Sequence, residues 1–280
     1  MKIGILMQRH PLTRISPIMP EVIRLLRKWK VTVDLIYPEE QLINLTSISV
    51  KHDFYVLKSD TDLSLSLAGA LHAAGAVILN PYPVAAMLRN KIIATQKLKA
   101  AGVPVPETYV ASSLKELAPL LNEGPLVIKP YRGYDGIGVQ FVRDVDELDK
   151  ISFNHEPIFA QRFYKPQGKD KKIYCMGGQI FGVKRVWPAR TYEQKLGEPY
   201  TISPKLRKIA LQCSKEFGIE LFGFDVIFND DQPYVVDISP FPGFKGVPNA
   251  ALRIADYIYH FGQDLLSKEL EPIAAKEVQT

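Results

Sequence analysis

Near the C-terminal end of the chain two aspartates stand at a spacing that could hold a divalent cation. Phe222-Gly-Phe-Asp-Val-Ile-Phe228, Asn229-Asp-Asp-Gln-Pro233 and Tyr234-Val-Val-Asp-Ile-Ser239 read as strand, turn and strand. Strand side chains alternate with period two, so pairing Phe228 with Tyr234 sets Asp225 directly opposite Asp237. The same register gathers Phe222, Phe224, Val226 and Phe228 with Tyr234, Val236 and Ile238 on one apolar face. On the other face the carboxylates would lie with Cβ atoms roughly 5 Å apart, which is destabilising unless positive charge sits between them. Mg²⁺, or Mn²⁺ in its place, answers that need. Ser239, two residues beyond Asp237, adds an oxygen, and a short set of hard oxygen ligands suits an ion that also binds phosphates. An exposed polar strand face is the other reading of these residues.

A second signal lies upstream. Pro125-Leu-Val-Ile-Lys-Pro130 reads as a strand feeding Tyr131-Arg-Gly-Tyr-Asp-Gly-Ile-Gly-Val139, a turn with Gly133, Gly136 and Gly138 that returns as another strand. Glycines let backbone N–H groups approach phosphates, and such a hairpin can close over them as a lid. Lys129 stands in the apolar strand just before the turn, where a lysine needs an anionic partner.

These residues must be held by a larger frame. Lys2–Met7, Val31–Tyr37, Asp53–Leu57 and Val77–Asn80 alternate with helices over Pro20–Lys30 and Leu63–Ala74, the pattern of an α/β lobe with a parallel sheet that ends near residue 85. Ligands of open α/β sheets sit beyond the carboxyl ends of the strands, so Arg9 and Arg14, in the loop after the first strand, suit an anionic substrate or are ordinary solvated loop charges. A helix over Ala85–Ala101 is closed by Gly102, and a further helix is expected over Leu114–Leu121.

Composition bounds the function. The chain has 280 residues, 46% of them apolar, enough for two or three lobes sharing one site. Its two cysteines, Cys175 and Cys213, form no disulfide framework and no zinc spacing. The net charge of +5 is scattered without a basic-aromatic platform, which points to an anionic small-molecule or peptide substrate and away from nucleic acid. No apolar run approaches membrane-spanning length and the opening segment is too short for a secretory signal, so a cytoplasmic protein is expected, with homo-oligomerisation left open.

Taken in order, Arg89-Asn-Lys91, Gly102-Val-Pro-Val-Pro106, Val127-Ile-Lys-Pro130 with its glycine loop, Gly168-Lys-Asp-Lys-Lys-Ile-Tyr174, Gly223-Phe-Asp225 and Val236-Asp-Ile-Ser-Pro-Phe-Pro-Gly243 resemble the ATP-grasp superfamily, in particular the ribosomal-protein glutamate ligases and their relatives. The resemblance runs over nearly the whole chain. It implies an N-terminal α/β lobe over 1–85, a small central α+β lobe over 86–163 and a C-terminal α+β lobe with an antiparallel sheet over 164–270, followed by a tail over 271–280. ATP would be clamped between the last two lobes.

Carried over by position, Lys91 and Lys129 are expected on the ATP phosphates, Gln161-Arg-Phe-Tyr164 as the interlobe hinge against adenine, and Asp170 on ribose hydroxyls. Arg185 is expected to face the phosphates, Asp225, Asp237 and Ser239 to hold the metal, and Lys172 and Arg190 to contact the acceptor with Arg9 and Arg14. Three positions depart from the family pattern. Ser239 replaces an asparagine, Arg162 a hinge glutamate and Lys172 an arginine, the last losing a bidentate fork.

The resemblance implies an ADP-forming carboxylate–amine ligase working through an acyl phosphate. The alternative is a small-molecule kinase, because Gly218-Ile-Glu-Leu-Phe-Gly-Phe-Asp225 and Asp237-Ile-Ser-Pro-Phe-Pro-Gly-Phe-Lys-Gly246 are also similar to inositol phosphate kinases of the same fold. A nucleotide-binding regulator without turnover is a third class.

Overall fold

The structure, a computed structural model, describes residues 1–9, 16–133, 136–153, 157–165, 169–186 and 191–270. It divides into two compact units, one made of Met1–Tyr82 with Pro248–Thr280 and the other of Pro83–Val247.

In the first unit Lys2–Met7 (β1), Thr32–Ile36 (β2), Phe54–Lys58 (β3) and Ile78–Leu79 (β4) form a parallel sheet in the order β2-β1-β3-β4. Ile3, Ile5, Leu6, Phe54, Tyr55 and Val56 are all buried, the continuous apolar run expected of a sheet covered on both faces. Helix α1 (Ile18–Lys28) turns Met19, Val22, Ile23 and Leu26 inward at helical spacing. Helix α2 (Asp62–Ala73) starts where the Thr61 side chain accepts a hydrogen bond from the Ser64 N–H.

The C-terminal helix Ala250–Leu270 belongs to this unit, not to the last lobe as the boundary at 270 would have it. The reason is its apolar side. Tyr259 meets Trp29 edge-on at 5.6 Å between ring centroids, and Phe261 meets Phe54 at 5.2 Å. Gly262 permits the close approach, since a Cβ there would lie 2.8 Å from the Phe54 ring.

The second unit contains two antiparallel sheets. Thr108–Ala111 (β5), Leu126–Pro130 (β6), Gln140–Val142 (β7) and Ile158–Arg162 (β8) lie in the order β5-β8-β6-β7. One face of this sheet, with Leu126, Ile128 and Ala160, packs on Leu117 and Leu121 of the segment Leu114–Glu123 and on Leu148. That segment is a 3-10 helix containing Pro119, whereas the sequence reads as an α-helix there.

Asp170–Met176 (β9), Gln179–Arg185 (β10), Glu198–Tyr200 (β11), Leu221–Asn229 (β12) and Gln232–Pro240 (β13) form the second sheet, in the order β11-β10-β9-β12-β13. Its apolar face carries Ile173, Cys175, Phe222, Phe224, Val226 and Ile238.

The helix expected over 85–101 is two helices, α3 (Tyr82–Leu88) and α4 (Lys91–Ala100). Between them Asn90 leaves the helical conformation, and its side chain accepts from the N–H groups of Ile92 and Ile93. Leu88, Ala94, Leu98 and Val103 pack into the core of the second sheet, with Leu206, Ile209 and Phe217. The segment assigned by sequence to the central lobe therefore builds the core of the last one. Among the described residues no helix is long and apolar enough to cross a membrane.

Phe224 lies wholly within this core, while Leu211 is 55% exposed. Phe224→Ala is expected to lower the unfolding free energy by about 3–5 kcal/mol. Leu211→Ala should change it by no more than about 0.5 kcal/mol. Urea titration of both variants checks that Phe224 is a core residue and that Leu211, on the helix Pro204–Phe217, is not; similar losses in the two would refute the assignment.

Candidate active site

β12 turns into β13 through Asp230 and Asp231, at φ 48° and 59°. A two-residue turn with both central residues left-handed matches the twist of the strands it joins. Below it Asn229 pairs with Gln232, Phe228 with Pro233 and Val226 with Val235, after which the register shifts and Asp225 pairs with Asp237. The turn is thus tighter than the one the sequence predicts, displacing the pairing of Phe228 by one residue. A bulge at Val236 restores it. The carboxylates face one another as expected, but by two compensating departures. Val235, not Val236, enters the core, and the Val236 carbonyl accepts a 3.2 Å hydrogen bond from Lys129 Nζ on β6.

Cations converge on both carboxylates. Lys172 lies opposite Asp225 in the pairing of β9 with β12, and its Nζ is 2.8 Å from Oδ2. Arg185 Nη2 donates to Oδ1 at 3.0 Å. Burial alone would raise the Asp225 pKa, yet Lys172 and Arg185 hold it below the ordinary carboxylate value. For Lys172 burial pulls downward and the charge of Asp225 carries the ammonium above its ordinary value. Asp237 receives Lys91 Nζ at 2.9 Å, and the same ammonium donates to the Gly133 carbonyl at 3.1 Å. Asn90, by capping α4, fixes Lys91 at the first position of that helix.

The donor set fits a hard divalent cation. Ser239, opposite Gly223, lies two residues from Asp237 on the same side of the strand. Among the described residues no group of three or more His, Cys, Asp or Glu is set to hold a metal. Two carboxylates and a hydroxyl leave the remaining positions to phosphate oxygens and water. Asp170 sits across from Arg185; burial first, then the charge of Asp225, push its carboxyl up to about 6, against the pull of Arg185.

Period two sorts the residues of the central sheet. Lys129 and Gln161 share the face away from the 3-10 segment, and Gln161 Oε1 accepts from Lys129 Nζ at 2.7 Å. Burial lowers the Lys129 pKa to about 8, opposed by the charge of Asp237. Arg162, next in sequence, points to the opposite face. Its guanidinium donates to the carbonyls of Leu120 at 3.0 Å and Gly124 at 2.7 Å and to Glu123 Oε2 at 2.9 Å. The side chain expected at the hinge therefore braces the segment behind the sheet. Phe163 meets Phe141 edge-on at 5.3 Å, and the Tyr164 ring lies tilted against that of Tyr234 at 4.8 Å between centroids. Gly136 and Gly138 take φ of 73° and 75°, where a side chain would be strained.

The expected acceptor contacts are not gathered in the same way. Lys172 is held on Asp225. Arg9, in the first unit, pairs with Glu40 and lies over the Tyr37 ring at 4.4 Å. Arg14 and Arg190 lie outside the described residues. The participant that sequence reasoning missed is the Val236 carbonyl, because a backbone acceptor freed by a bulge has no residue type to announce it.

A family model described as a RimK-like ATP-grasp domain matches residues 88–258. A probable alpha-L-glutamate ligase from Parasynechococcus marenigrum (strain WH8102) is 22% identical over 232 residues, which cover 78% of this chain and 48% of that protein. The chain thus spans about half the length of that relative. Among solved structures, the RimK domain protein ATP-grasp from Sphaerobacter thermophilus DSM 20745 superposes with TM-score 0.74 at 20% identity, covering 92% of this chain and 100% of the other. The ATP-grasp ligase PsnB complexed with minimal precursor, Mg and ADP superposes with TM-score 0.65 at 17% identity, covering 92% and 98%. At such identities the structural likeness is one of fold.

Removing one partner of a desolvated ion pair strands the other. Asp225→Ala is expected to lower the unfolding free energy by about 3–5 kcal/mol near neutral pH. Because the folded state depresses the Asp225 pKa, its contribution is present above the unfolded value of about 4 and lost as pH falls through the lower folded value. Wild type and variant should therefore converge in acid. Urea titrations across pH read this directly, and a gap that stays constant into acid would rule out the ion-pair account.

Proposed function

The chain belongs to the RimK-like ATP-grasp domain family, and on that premise we propose that it is an Mg²⁺-dependent, ADP-forming ligase joining a carboxylate to an amine. The observation that carries the reading is the convergence of Lys91, Lys172 and Arg185 on the facing pair Asp225 and Asp237, with Lys129 reaching the adjacent Val236 carbonyl. In this reading the γ-phosphoryl group of ATP passes to a carboxylate oxygen and ADP leaves. The amine nitrogen then attacks the acyl carbon, loses a proton and expels phosphate.

No nucleophile from the protein is required, so the work of the side chains is orientation and charge neutralisation. Lys91, Lys129 and Arg185 hold the phosphates, the loop with Gly133, Gly136 and Gly138 covers them, and Gln161 to Tyr164 with Asp170 border the nucleoside. Asp225, Asp237 and Ser239 would hold Mg²⁺. When bound, the ion supplies positive charge to the transferring phosphoryl group. Arg9, Arg14 and Arg190 are proposed for an anionic acceptor. Two of the similar proteins described above are named as ligases, which favours ligation over phosphorylation of a polyol.

Incubation with Mg-ATP, pooled carboxylic acids and hydroxylamine should yield ADP and a hydroxamate, with glutamate the first amine to test in place of hydroxylamine. Phosphate recovered on a polyol would sink the ligase reading. Asp237→Asn should nearly abolish turnover and leave the far-ultraviolet dichroism unchanged. Lys129→Ala should weaken ATP binding by about 30- to 150-fold, the range for a lost hydrogen bond to a charged group. With its pKa at about 8, the Lys129 ammonium loses its proton as pH rises past that value, so ATP affinity measured by calorimetry should decline above it.

A further inference from the structure

We propose that Thr108 is a positioning residue for Lys129, acting through the side-chain amide of Gln161. The inference rests on the reading that Lys129 binds the phosphates of ATP. A lysine ammonium only donates hydrogen bonds, whereas a glutamine amide has an accepting end and a donating end of nearly the same shape. Turned the wrong way, Gln161 would set its NH₂ group against the ammonium.

The side chain is 2% exposed, so water cannot correct such an error. What fixes the orientation is the far end of the amide. Gln161 Nε2 donates to Thr108 Oγ1 at 3.2 Å, and Thr108 Oγ1 donates its own single proton to the Pro106 carbonyl at 2.8 Å. With that proton committed, Thr108 presents a lone pair and accepts the amide N–H. Oε1 is left for Lys129, which it meets at 2.7 Å.

Donors and acceptors therefore run in one direction from Lys129 to Pro106. The frame is rigid, because Thr108 and Gln161 are directly paired across β5 and β8. Pro106 lies in the segment Gly102-Val-Pro-Val-Pro106. As a carbonyl it can only accept, and it cannot reverse the relay.

The test is the ATP dissociation constant measured by calorimetry. Thr108→Val, which keeps the shape and deletes the hydroxyl, should weaken ATP binding by about 3- to 10-fold, the range for one neutral hydrogen bond. Thr108→Ala removes the same hydroxyl without adding a methyl group and should lose affinity similarly. Thr108→Ser should restore what those two lose. In a Lys129→Ala background Thr108→Val should add no further loss.

An unchanged affinity in both Thr108→Val and Thr108→Ala overturns the positioning role. An equal fold-loss with and without Lys129 also overturns it, since a merely structural effect would not depend on the lysine. Either result leaves the ligase reading standing if Lys129→Ala itself weakens binding. Wild-type ATP affinity in Lys129→Ala brings down the positioning role together with the phosphate-binding assignment of Lys129.

Discussion

Two carboxylates facing each other across neighbouring antiparallel strands repel, and the site is organised around relieving that repulsion. Asp225 is answered on both oxygens, by Lys172 from the strand beside it and by Arg185 from the strand beyond. Asp237 is answered from outside the sheet, by Lys91 at the start of α4. Helix α4 can supply that lysine because its apolar side is seated in the core beneath the same sheet. The like-charge pair thus couples the position of a helix, the order of four strands and the placement of three cationic groups. A cluster that balances negative charge on aspartates is also chemically suited to balance it on phosphate oxygens.

Much of this was legible from the residues, and the failures have physical causes. The opposition of Asp225 and Asp237 follows from alternation and a turn, yet the turn was one residue tighter than expected and the Val236 bulge put the residue back. Counting cannot distinguish those routes, since both end on the same pair. The face that Arg162 points to follows from alternation once Gln161 is placed, but the family pattern treats the hinge as a stretch of backbone and hides that division. Lys172 is legible as a charged strand residue. Its partner is not, because which strand flanks β12 is a matter of topology.

Local signals also proved weaker than tertiary ones in the helices. Ala85–Ala101 has helical composition throughout, and only the capping geometry of Asn90 breaks it into two. Where those helices pack could not be read from their own residues. Their apolar positions, Ala94 and Leu98, fit any apolar sheet face, and the choice of the second sheet belongs to the fold as a whole.

The first unit is discontinuous in sequence: the chain leaves it after Tyr82 and returns at Pro248. Trp29 and Phe54 find Tyr259 and Phe261 only after Pro83–Val247 has been synthesised. A growing chain on the ribosome therefore carries the apolar flank of α1 and β3 uncovered while the entire second unit is made. Its N-terminal lobe, begun first, is completed last. Such a chain depends on chaperone protection during translation more than one whose lobes close in order of synthesis.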